Sequence, residues 1–127
     1  MQQTETFRVQ WVDTDASGRI HYTAAFRWAE ATEAALFRRL GVLRDYGLYP
    51  RRHVEAQFMR MLVFGDEVEV ELKVERVGTT SITFRWLVLS DANVAIEGTH
   101  TVVFVNRNAR PEPLGAEMRA ALGAAPL

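Results

Sequence analysis

The sequence predicts an α+β fold, an antiparallel sheet with one long helix against a face, and three observations predict it. One stretch, residues 23–40, runs without Gly or Pro, is rich in Ala, and repeats Ala25, Ala29, Thr32, Leu36 and Leu40 at the spacing of a single helix face. Other runs alternate apolar and polar residues at every second position, as strands with one buried face do. Short clusters of Gly, Ser, Asp and Asn separate most of the later runs, so those strands turn back and pair antiparallel. Strand, turn, helix, loop and then four strands is an α+β order, not a βαβ repeat.

Each element has its own warrant. Phe7, Val9 and Trp11 alternate with Arg8 and Gln10, which predicts a first strand ending near Val12 with those three on the buried face. Residues 13–18, Asp-Thr-Asp-Ala-Ser-Gly, collect turn formers. Thr23 is placed to cap the helix and Gly41 to stop it. The segment through Pro50-Arg51-Arg52 reads as a connecting loop, and Val54, Ala56 and Phe58 as a second strand. Val68, Val70, Leu72 and Val74 alternate with Glu67, Glu69, Glu71, Lys73 and Glu75 in a third. Gly78-Thr79-Thr80 turns the chain into a fourth strand with Ile82, Phe84, Trp86 and Val88, and residues 90–93 turn it into a fifth over 94–105. A short helix over 116–122 closes the order. No repeat, low-complexity tract or linker interrupts it, so a single domain over 1–127 is expected.

The charge balance excludes a whole function class. Fifteen cations are interspersed with 16 anions for a net charge of -1, whereas phosphate-backbone binding needs a strongly basic face. No nucleic-acid partner is expected. All the cations but Lys73 are Arg, a bias that suits bidentate recognition of phosphate or carboxylate and that codon preference explains equally well. With no Cys there is no disulfide, thiol nucleophile or thiolate metal site. The first residues lack the pattern of a signal peptide and no apolar run reaches membrane-spanning length; a cytoplasmic protein without a membrane span is the expectation.

Chemistry concentrates between the first strand and the helix. Asp13 and Asp15 lie on a turn held by two rigid elements, where a carboxylate can be aimed, although turn hydrogen bonds alone also account for both. An Asp-x-Asp without a following Glu or His at ligand spacing is no metal site. His21 and Tyr22 follow at the helix start and bring a titratable ring and a phenol near Asp15. His100 shares a strand face with Ile96, Val102 and Phe104, which suits a hydrogen-bonded core or interface histidine. Glu33 falls near the apolar stripe of the helix and so requires a partner or a neutral form. Arg51, Arg52 and Arg60 are candidates for the phosphates of a large cofactor-linked substrate, and no Gly-rich phosphate loop is present.

The segment Val9-Gln10-Trp11-Val12-Asp13-Thr14-Asp15-Ala16-Ser17-Gly18-Arg19-Ile20-His21-Tyr22 resembles the signature of the 4-hydroxybenzoyl-CoA thioesterase-like branch of the hotdog superfamily, which includes the Tol-Pal-associated acyl-CoA thioesterases. Three further landmarks agree in order: Phe26-Arg27-Trp28-Ala29-Glu30-Ala31 resembles the family's helix, residues 58–67 its second-strand exit, and Gly78-Thr79-Thr80-Ser81 the hairpin before a typical Ser. The resemblance implies a hotdog fold, a five-stranded antiparallel sheet wrapped around one long helix, and a homodimer or homotetramer with active sites at the subunit boundary. It also implies an acyl-CoA thioesterase in which Asp15 attacks the thioester or activates water, assisted by Tyr22 and the main chain from Gly18 to Tyr22, while backbone N–H groups near the helix start polarise the carbonyl. Gly18, His21, Arg60 and Ser81 are the expected substrate-binding residues, with no cofactor and no metal. Thr23-Ala24-Ala25 and Met61 depart from the family pattern, which alters the pocket wall. Thr79 and Thr80 stand where relatives often carry basic residues, so an acyl carrier protein thioester stands beside acyl-CoA as substrate. A hotdog enoyl-CoA hydratase or dehydratase and a non-catalytic acyl-CoA binding module are the alternatives.

Overall fold

Period-two patterning in the second half of the chain builds most of the sheet. The computed structural model describes residues 1–125 and 127, the side chains of Asp45 and Tyr46 excepted. In chain order it contains β1 (Gln2–Arg8), α1 (Thr23–Arg39), β2 (Arg51–Phe58), β3 (Glu67–Val77), β4 (Ser81–Ser90), β5 (Asn93–Val103) and α2 (Ala116–Ala121), with short 3-10 turns at Trp11–Asp13 and Leu43–Leu48. The strands form one five-stranded sheet in the order β1-β3-β4-β5-β2, every neighbouring pair antiparallel. This is the expected architecture, one sheet around one long helix.

One face of the sheet carries Val68, Val70, Leu72, Ile82, Phe84, Trp86, Val88, Ile96 and Val102, all buried. Helix α1 buries Ala24, Ala25, Trp28, Ala29, Leu36 and Phe37 in the same core. The three alanines lower the helix onto the sheet; the aromatic residues fill the remaining depth, as where Phe37 meets Phe84 at 6.3 Å between ring centroids. Trp86 faces Gly98 across the β4–β5 pair, and a methyl group on Gly98 would overlap the indole ring. Glycine is therefore a packing requirement there. The Asp91-Ala92 turn joins the same strands with φ of 50° and 63°, the two-residue geometry that matches strand twist.

Four local expectations need correction. Strand β1 lies earlier than the alternation of Phe7, Val9 and Trp11 suggests: it ends at Arg8, and Trp11 and Val12 are 73% and 74% exposed. Asp13 is the cause, because its Oδ2 accepts the Gln10 N–H at 2.8 Å and winds residues 11–13 into a turn that competes with sheet pairing. The polar residues before Phe7 join the sheet instead through their backbone ladder to β3. Thr23 is the first helical residue, not the cap; Tyr22 holds the cap position, and the Thr23 hydroxyl bonds His21 Nδ1 at 2.7 Å. Arg51 and Arg52 belong to β2, not to the connection before it, which carries the Leu43–Leu48 turn. β2 is also an edge strand with Val54 and Phe58 about half exposed, so its pattern does not mark a face buried within the chain.

Candidate active site

The turn after β1 is built by its own side chains. The Gly18 N–H donates to the Asp15 carbonyl at 3.0 Å, closing the reversal, and the Asp15 N–H donates to the Arg19 carbonyl at 2.9 Å. Gly18 sits at φ +81°, a conformation that other residues adopt at a cost. Asp15 Oδ1 accepts two bonds from Ser17, from the amide at 2.8 Å and the hydroxyl at 2.6 Å. Those bonds, the hydroxyl first and the amide second, hold the Asp15 carboxyl below the ordinary aspartate value; His21 and Arg19 add smaller pulls against a slight desolvation. Oδ2 takes no hydrogen bond from any described residue. The turn thus presents a fully ionised carboxylate at neutral pH with one oxygen occupied and one open.

Asp13 has the opposite character. It is buried, Oδ2 caps the Gln10 amide at 2.8 Å, and Oδ1 accepts from Arg27 on α1 at 2.9 Å. It fixes the entry of the turn and ties it to the helix.

A groove of about 330 Å³ opens beside Asp15, lined by Arg19, Tyr22, Phe58, Arg60 and Met61 among others. The chain therefore brings Asp15, Tyr22 and Arg60 to one hollow, with Gly18 in the same turn. His21 is half-buried, stacked on Tyr22 at 4.6 Å between centroids. Its Nδ1 is already engaged with Thr23, so it shapes the site more than it offers a free base on that side. Ser81 is not brought there. It starts β4 opposite Val103, whereas the groove's Met59 bonds Ala95 at the other end of β5, roughly 25 Å away at the rise of an extended strand.

Amide bookkeeping sharpens the expectation about the main chain from Gly18 to Tyr22. Gly18 donates to Asp15, Ile20 to the Leu62 carbonyl at 3.0 Å and His21 to the Asp13 carbonyl at 2.7 Å; Arg19 reaches the Ser17 hydroxyl at 3.4 Å. Only the Tyr22 N–H has no acceptor among the described residues. It lies at the positive end of α1, where amides attract developing negative charge.

A second hollow, about 420 Å³, lies on the other side of Tyr22 and is lined by Phe26, Arg51, Val54 and His100 as well. Below it Glu33, fully buried on α1, accepts from Arg51 of β2 at 2.6 Å through Oε2 and meets His100 Nε2 of β5 at 2.9 Å through Oε1. Glu33 thus has the partners its place on the apolar stripe demands, and His100 is the hydrogen-bonded histidine its strand face suggests. Arg51 is paired with Glu33 and, at 3.4 Å, with Glu30, which removes it from the phosphate candidates. Sequence reasoning missed this three-residue cluster as a unit. The signal was there: two titratable residues on apolar faces of facing elements need each other.

The sequence profile of the Thioesterase superfamily matches residues 17–96, beginning just past Asp15. A putative esterase of Aquifex aeolicus is 28% identical over 99 residues, 74% of this chain and 77% of that one. A 1,4-dihydroxy-2-naphthoyl-CoA hydrolase of Prochlorococcus marinus is 27% identical over 93 residues, 61% of this chain; the match spans only 59% of that relative's length. The structure of a predicted thioesterase from Bacillus stearothermophilus superposes with a TM-score of 0.88 at 24% identity, covering 97% of this chain and 95% of that one, a likeness of fold. With its hotdog architecture and a family match over more than half of its length, the chain belongs to the Thioesterase superfamily.

Proposed function

We propose that the protein is an acyl-CoA thioesterase in which the Asp15 carboxylate acts on a thioester carbonyl held at the first turn of α1. The observation that carries this reading is the pairing, around one groove, of an ionised carboxylate with an open oxygen and the uncommitted Tyr22 N–H. Asp15 Oδ2 attacks the carbonyl carbon, the C–O bond forms, and the Tyr22 N–H stabilises the developing oxyanion. The C–S bond then breaks, the CoA thiolate leaves and takes a proton from solvent, and water hydrolyses the mixed anhydride to regenerate Asp15.

Arg60 and Arg19 line the same groove and suit the anionic carrier end of the substrate, with His21 packing the Tyr22 wall. A coenzyme A carrier is supported by the relative named for an aromatic acyl-CoA. The open edge of β2, with Val54 half exposed beside the second hollow and Phe58 half exposed beside the first, supports a homodimer that joins two sheets at that strand and closes the acyl pocket across the boundary. No described helix is long and apolar enough to cross a membrane, and a cytoplasmic setting completes the reading.

The test is a panel of aromatic and aliphatic thioesters on coenzyme A and on acyl carrier protein, followed by release of free thiol, with enoyl-CoA hydration assayed alongside. Turnover of at least one CoA thioester is expected. Hydration without hydrolysis, or tight binding without turnover, would replace this reading with the hydratase or the binding module. Light scattering should give a dimer or a multiple of it, and a monomer at micromolar concentration would remove the β2 interface.

A further inference from the structure

Tyr22 stands between the two hollows. It is the one described residue that lines both the Asp15 groove, about 330 Å³, and the hollow beyond it, about 420 Å³. At 62% exposed, its side chain projects as a ridge instead of packing under the helix. One face of the ring is braced: the His21 imidazole stacks on it at 4.6 Å between centroids and 29° between planes, and the Thr23 hydroxyl lies 2.7 Å from His21 Nδ1. The phenol oxygen has no hydrogen-bond partner among the described residues, so the ridge consists of ring volume, not of a polar contact.

Charge assigns the two ends of a thioester to the two sides of that ridge. Arg19 and Arg60 line the Asp15 groove and enter no salt bridge among the described residues. The arginines of the second hollow are already met by acids, Arg27 by Asp13 at 2.9 Å and Arg51 by Glu33 at 2.6 Å and Glu30 at 3.4 Å. An anionic carrier gains more from cations outside salt bridges than from cations already in them. Phe26 and Val54 give the second hollow apolar wall, as an acyl pocket requires. The carrier end therefore lies on the Asp15 side and the acyl group beyond Tyr22.

We infer that the Tyr22 side chain is a specificity-determining residue that limits the girth of the acyl group: groups that extend straight away from the thioester carbonyl are accepted, and groups broad beside it are rejected. This rests on the thioesterase reading, in which the carbonyl is held at the Tyr22 amide. The first atoms of the acyl group then pass the ring of the same residue. A broad group must push aside a ring braced by His21 or leave the carbonyl short of its reacting position, and either carries a cost.

The test uses the intact protein and two non-hydrolysable thioethers, CoA carrying a 2-oxo-2-(2-naphthyl)ethyl or a 2-oxo-2-(1-naphthyl)ethyl group, with affinities from titration calorimetry. The isomers share one apolar area and differ in girth, because the second ring of the 1-naphthyl group lies beside the carbonyl. The wild type should bind the 2-naphthyl probe at least about tenfold more tightly than the 1-naphthyl probe. Tyr22→Ala keeps the amide and joins the two hollows, and its ratio should fall to about twofold or less; the exposed position of the ring lets the variant fold. Tyr22→Phe keeps the ring volume and should keep the wild-type ratio to within about twofold. A ratio near one in the wild type, an unchanged ratio in Tyr22→Ala, a ratio lost equally in Tyr22→Phe, or binding of neither isomer would overturn the inference. Parallel hydrolysis of 2-naphthoyl-CoA and 1-naphthoyl-CoA separates the two claims: girth-selective binding without hydrolysis defeats the thioesterase reading alone, and hydrolysis without selectivity defeats this one alone.

Discussion

Two polar regions flank Tyr22 and are constructed in opposite ways. The Asp15 turn is exposed and held by bonds between residues two to four apart in sequence, Ser17 to Asp15 and Asp15 to Arg19. The Glu33 cluster is buried and joins residues separated by 18 and 67 positions. In the first, the environment favours charge and leaves one oxygen open for chemistry. In the second, a buried acid is held between Arg51 and His100 and the geometry is fixed by the helix and two strands. Substitutions in the turn should act on rate and pH dependence, and substitutions in the cluster on stability.

The largest expected effect on stability tests the buried side. Glu33→Ala removes the acceptor of the buried His100 and one carboxylate partner of Arg51 and should cost about 3 kcal/mol of unfolding free energy, since breaking a buried pair costs more than the pair contributes; urea denaturation with an unchanged slope measures it. A loss below about 0.5 kcal/mol would mean that the cluster is solvated like a surface pair. Next, Tyr22→Pro deletes the uncommitted amide at a backbone of φ -56° that proline accepts. Its turnover number should fall about a hundredfold, as for loss of one oxyanion donor, while Tyr22→Ala, which keeps the amide, should fall much less; equal losses would assign the effect to the ring.

Smaller effects sharpen the contrast within the turn itself. Asp13→Ala removes the cap on Gln10 and the tie to Arg27 and should cost about 1 kcal/mol in a thermal or urea melt. Smallest is Ser17→Ala. The Asp15 carboxyl lies below its ordinary value chiefly because of the Ser17 hydroxyl, so activity that needs the ionised form persists above that lowered value and is lost as pH falls through it. Removing the hydroxyl should move the acid limb of kcat/KM upward, toward but not to the ordinary aspartate value, because the Ser17 amide remains. A downward shift would contradict the assigned cause.

The same contrast explains what the sequence made legible. The Asp15 turn, the long helix with its stop at Gly41, and the Asp91-Ala92 hairpin depend on neighbours in the chain, and their residue types announce them. Trp11 misled because alternation alone cannot register that Asp13 captures the Gln10 amide and ends sheet pairing early. The β2 edge misled because an apolar alternation reports a buried face without saying whether this chain or a second copy buries it. Arg51, one of three arginine candidates for phosphate binding, pairs with Glu33, a relation set by the packing of α1 against β2. Gly98 has no local turn role and is explained only by Trp86 lying over it.

The most direct measurement is hydrolysis of an aromatic acyl-CoA by Asp15→Asn beside the wild type, read as free thiol, with thermal melts of both. The account predicts loss of at least about a thousandfold in kcat for the missing nucleophile at an unchanged melting temperature, since Asp15 is exposed and its partners are local. Hydrolysis by Asp15→Asn at the wild-type rate would contradict it.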